Sequence, residues 1–80
     1  MVKRQVICEA DWVEILTVEV PEDATDAQVL MTLANEIISK DWSHLENPNT
    51  VLENLSTPNP RLVILDGTDP VCWLTIPMEV

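Results

Sequence analysis

Residues 17–40 read TVEVPEDATDAQVLMTLANEIISK, and the reading of this stretch decides the fold. It opens as a strand, with Val18 and Val20 on one face and Glu19 on the other. Pro21 has no N–H for a sheet ladder and ends that strand. Asp23 and Thr25 are both acceptable helix caps, and Thr25 with Gln28 fits a capping box. The acids Glu22, Asp23 and Asp26 suit the positive end of a helix dipole. Leu30, Leu33, Ala34 and Ile37 then recur at i, i+3, i+4 and i+7, with Val29 and Ile38 widening the stripe. The spacing predicts a helix over residues 25–40, with Lys40 at its negative end.

Upstream, residues 3–9 (KRQVICE) and 12–20 (WVEILTVEV) read as strands joined through Glu9-Ala10-Asp11. Downstream, residues 41–60 are less regular. Asn47-Pro48 marks a turn, and Thr50 and Glu53 cap a short helical turn carrying Val51, Leu52 and Leu55. Pro58 and Pro60 stop any helix there. Residues 61–65 (RLVIL) and 71–76 (VCWLTI) read as two more strands, with Asp66-Gly67 as the hairpin signal between them and Pro77 after them. The expected fold is α+β, a single domain over residues 1–80. It has a small single-layer sheet of about four strands in β-β-α-β-β order, with one main helix on one face. The order, and the run TVEVPEDATDAQV, resemble ubiquitin-like β-grasp folds. That resemblance implies a fold only: the chain ends Pro77-Met78-Glu79-Val80 with no diglycine, so no ubiquitin function comes with it.

Charge narrows the function classes. Fourteen acids face four bases, a formal net charge of −10 in 80 residues, while 46% of the chain is hydrophobic. Glu9, Asp11, Glu14, Glu19, Glu22, Asp23 and Asp26 follow one another with no base between them. A folding chain that keeps this much like charge tolerates self-repulsion. Phosphate backbones are bound by clusters of Lys and Arg; here only Lys3 and Arg4 are adjacent, which argues against direct nucleic-acid binding and against an anionic membrane surface. No apolar run approaches the ~20 residues that span a bilayer. Lys3 and Arg4 precede no signal-peptide core, so the expected setting is cytoplasmic. The partner this charge favours is a protein with a basic surface.

Strand parity exposes a further feature. Leu16, Val18 and Val20 share one face, Val13 and Ile15 the other. Leu62 and Ile64 oppose Val63 and Leu65, and Cys72, Leu74 and Ile76 oppose Val71 and Trp73. Both sheet faces are thus apolar, and one helix covers one of them. Either residues 41–60 fold over the second face, or a patch around Ile7, Ile15, Val63 and Trp73 stays open as a homodimer or partner interface. Glu14 falls on the Leu16 face, which calls for a bulge near residues 13–15 or a strand that begins at Ile15.

Catalytic motifs are missing from the sequence. The lone His44 has Asp41 and Glu46 as its nearest acids, without a site-forming spacing, and reads as a surface or helix-end residue. Cys8 and Cys72 read as two thiols in strands, with a disulfide between first and last strands as the alternative; with His44 they lack a fourth zinc ligand and a close Cys pair. Asp66-Gly67-Thr68-Asp69 is similar to a fragment of a calcium loop, but the closing Glu is absent. One glycine leaves no phosphate loop, and Ser39, Ser43 and Ser56 lack a nucleophile elbow. The expectation is a non-enzyme with no catalytic residue, metal or cofactor.

The leading functional reading is an acidic inhibitor that occupies the basic, nucleic-acid-binding surface of a partner. Size and charge are similar to those of phage anti-defence proteins, such as anti-CRISPRs and DNA mimics, taken as a class. Its contact residues would be Glu9, Asp11, Glu14, Glu19, Glu22, Asp23 and Asp26, with Trp12 as an aromatic anchor. The first alternative is a homo-oligomeric assembly subunit using the apolar patch. The second is an immunity protein or antitoxin against a nuclease-like toxin.

Overall fold

In a computed structural model, residues 1–10, 12–46 and 59–77 are described. The elements are β1 (Val2–Glu9), β2 (Val13–Val20), α1 (Asp26–Ser39), β3 (Leu45–Glu46), β4 (Arg61–Asp66) and β5 (Asp69–Thr75). The fold is α+β, with the β-β-α-β-β order of the sequence reading and one addition, the two-residue β3. One five-stranded sheet has the order β3-β2-β1-β4-β5, and all four pairings are antiparallel. The likeness to β-grasp folds is therefore one of element order.

Helix α1 begins as its sequence requires. The Thr25 side chain accepts the Gln28 backbone N–H and the Gln28 side chain accepts the Thr25 N–H, closing the capping box. At the other end Lys40 takes a left-handed conformation, φ 57°, and α1 stops. Val29, Leu30, Leu33, Ala34 and Ile37 are buried, as the stripe predicts. Ile38 is not; it is exposed, and Glu36 is buried instead. The stripe turns toward Glu36 because its carboxylate accepts the His44 backbone N–H, which holds the chain leading into β3.

The core lies between α1 and one sheet face, where Val6, Cys8, Leu16, Val18, Val20, Leu62 and Ile64 meet the helix. Ile76, just past β5, is fully buried and its N–H reaches the Pro60 carbonyl at 2.8 Å. Trp42 packs against this same core and Leu45 is buried in it. The described parts of residues 41–60 thus join the helix side rather than covering the second face. The expected Asn47-Pro48 turn, the turn carrying Val51, Leu52 and Leu55 with its caps Thr50 and Glu53, and Pro58 lie outside the described residues.

The β1–β2 register runs unbroken from Val2↔Val20 to Glu9↔Val13, so neither a bulge nor a late start of β2 accommodates Glu14. Glu14 instead sits at the strand end, half-buried, where its Oε2 accepts the Trp12 indole N–H at 3.0 Å. The one register shift falls in the other hairpin, between Ile64 and Leu65. There Gly67 and Thr68 form the two-residue loop between Asp66 and Asp69. Gly67 has φ 65°, the type II′ pattern that favours glycine at the first loop position.

Candidate interaction surface

The described residues form two layers, helix α1 and the sheet. Among the described residues, no element forms a third layer on the sheet face opposite α1. On that face Ile15 pairs with Ile7, Ile7 with Val63, and Val63 with Trp73. The four residues expected to form an apolar patch therefore stand in one straight row across β2, β1, β4 and β5. Ile15 and Trp73 are 64% and 59% exposed, whereas Val63 in the middle is only 2% exposed. Val13, Val71 and Leu65 add exposed apolar surface around the row.

The acidic segment is split. Glu9 and Glu14 lie at the end of the sheet where β1 turns into β2, and Glu19 lies near the other end of β2. At about 3.3 Å per residue, Glu14 and Glu19 are ~17 Å apart. Glu9 is held by Arg61, with both carboxylate oxygens 3.2 Å from one guanidinium nitrogen. Trp12 is partly buried against the core, with its indole N–H engaged by Glu14. Asp11 is outside the described residues. Glu19, Glu22 and Asp23 are exposed at the far end, together with half-buried Asp26, which pairs with Arg4.

Two acids missed in the sequence join this second group. Ile7 pairs with Val63 in an antiparallel ladder, so the turn at Gly67 comes level with Lys3, the register partner of Glu19. Asp66 and Asp69, directly opposite each other, therefore sit at the same end of the sheet as Glu19, Glu22 and Asp23. The only advance signal was the Asp-Gly-Thr-Asp run, in which a two-residue loop makes the flanking acids partners.

Bases do little to neutralise that end. Lys3 bonds Glu46 at 3.3 Å, Arg4 bonds Asp26 and Arg61 bonds Glu9. Three of the four bases in the chain are thus engaged within the fold. Among the described residues, no base pairs with Glu22, Asp23, Asp66 or Asp69.

His44 is not partnered by Asp41 or Glu46. Its Nδ1 lies 3.5 Å from Glu36 Oε1, which also takes the His44 backbone N–H. The second oxygen, Glu36 Oε2, is buried with no hydrogen-bond partner among the described residues. Cys8 and Cys72 are both free. Leu62 is the partner of both Cys8 and Leu74, so the thiols sit two strands apart and offset along them, beyond disulfide reach. Burial, with Glu14 and Glu9 nearby, pushes the Cys8 thiol up to about 11. No helix among the described residues is long and apolar enough to cross a membrane. No family model, no curated protein and no solved structure matches the chain.

Proposed function

We propose that this chain is a non-enzymatic acidic binding protein that inhibits a partner by occupying the partner's basic, nucleic-acid-binding surface, in the manner of phage anti-defence nucleic-acid mimics. The observation that carries the reading is the unneutralised acidic end of the sheet. Glu19, Glu22, Asp23, Asp66 and Asp69 gather there, while the nearby Lys3 and Arg4 are already bonded to Glu46 and Asp26. An opposite charge of this kind speeds association and sets orientation. Two free thiols go with a cytoplasmic setting.

The test is capture of nuclease-treated host proteins on the tagged chain, followed by competition of each captured protein with DNA or RNA. The expected result is a nucleic-acid-binding protein released by moderate salt and displaced by its own nucleic acid. A captured partner that binds nucleic acid and this chain together would refute the reading. Reversing Glu22, Asp23 and Asp66 to Lys is expected to weaken capture at low salt and to flatten its salt dependence.

A second reading rests on the exposed apolar residues Ile15, Val71 and Trp73, the kind of surface a homo-oligomeric subunit would bury. The −10 charge on each copy opposes that association. Light scattering at rising protein concentration separates the two: a 9.0 kDa species throughout removes self-assembly.

A further inference from the structure

Among the described residues, β5 is the last strand of the sheet and no strand pairs with its outer edge. Natural edges are blunted by charges, prolines or bulges. Here Pro70 and the register shift opposite Leu65 protect only the start of β5. Residues 71–75 read Val-Cys-Trp-Leu-Thr, with no charge and no proline.

Both sides of this edge are apolar. Val71 and Trp73 are exposed on the open sheet face. On the helix side a groove of about 120 Å³ runs between α1 and β5, lined by Ala27, Leu30, Met31, Cys72, Trp73 and Leu74. Met31 is 52% exposed at its rim. A strand laid along β5 would hydrogen-bond the edge through its backbone and place alternate side chains in the groove.

The electrostatics of the same edge define its occupant. Asp66 and Asp69 face each other at the start of β5, and like charges directly opposite are unfavourable. No base among the described residues relieves them. A second copy, itself at −10, brings more negative charge to this end. We infer that the β5 edge takes an extended segment of a partner protein, with apolar residues at alternate positions and basic residues at the end that meets Asp66 and Asp69. The segment runs antiparallel to β5, like every pairing in the sheet, so its basic residues come at its C-terminal end. The inference rests on the reading of a basic partner and adds to it a mode of docking.

A synthetic peptide, Ile-Thr-Ile-Thr-Ile-Lys-Lys, tests it on the full chain. Amide hydrogen exchange is followed by NMR. At ten times the dissociation constant, the outward-facing amides of residues 71–75 are expected to exchange about tenfold more slowly. The same peptide ending in Glu-Glu is expected to bind at least about tenfold more weakly, a gap that closes at high salt. Met31→Lys changes a half-exposed helix residue and so leaves the fold intact, yet it blocks the groove and is expected to abolish protection. No protection by the peptide, equal binding of both peptides, or protection that grows with protein concentration alone would each overturn the proposal. If Met31→Lys still competes with nucleic acid for a captured partner, the docking mode fails and the functional reading stands. If β5 binds the peptide while no captured partner is displaced from nucleic acid, the functional reading fails alone.

Discussion

Thr25 shows how much a single side chain decides here. It satisfies a helix-end N–H and fixes where α1 begins, so Thr25→Ala is expected to cost about 1 kcal/mol. In a domain of this size that lowers the melting temperature by roughly 4–8 °C, measurable by circular dichroism. This residue was legible because its chemistry is local: donor and acceptor lie three positions apart in the chain. Glu36 was not legible. Its burial depends on His44, which reaches it only after the chain has turned back toward β2. Cys8 yields a second expectation. Its thiol is held up at about 11 in the fold against an ordinary value of 9.0, so the folded state keeps a proton that the unfolded state loses. That contribution is intact below pH ~9 and disappears as pH rises through about 11. Denaturant titrations should therefore show stability falling across this window, and Cys8→Ala should remove that part of the slope. Thiol alkylation of the native protein near pH 8 should label half-buried Cys72 well before Cys8.

Among the elements, the two faces of the sheet call for opposite responses to substitution. Leu33 is fully buried on the sheet-facing side of α1, and Leu33→Ala is expected to cost about 2–5 kcal/mol. Ile15 stands on the open face, so Ile15→Thr should change stability by no more than about 0.5 kcal/mol while removing apolar contact area. Paired denaturation curves check both. The alternation that separates these faces was plain in the sequence, because strand parity is a property of neighbouring residues. So was the alignment-ready set Ile7, Ile15, Val63 and Trp73. Its register as one row was not, since that depends on β1 pairing with β4 rather than with another strand. Strand β3 escaped for a related reason. Two residues carry no periodicity, and Leu45–Glu46 becomes a strand only through Val18 and Thr17. Gly67 belongs to this scale too: Gly67→Ala meets no atom within 4 Å, yet φ 65° strains any L side chain, and a loss of about 1 kcal/mol is expected.

For the molecule as a whole, the surplus of acids is a standing repulsion that the folded state bears more closely spaced than the unfolded one. Salt screens it, with the Debye length falling from ~10 Å at 0.1 M to ~3 Å at 1 M. The melting temperature at neutral pH is therefore expected to rise with sodium chloride; a flat response would mean that the ion pairs of Lys3, Arg4 and Arg61 matter as much as the repulsion. The topology has one more consequence, in time rather than in energy. The central seam joins Ile7 to Val63 and Glu9 to Arg61, residues from opposite ends of the chain. Local hairpins close quickly, but contacts between distant segments wait on a slow encounter. During synthesis β1, β2 and α1 leave the ribosome first, with the β4 side of β1 still bare. A growing chain thus passes through a stage in which its own future interior is an open edge, and the second hairpin must arrive before a stranger does.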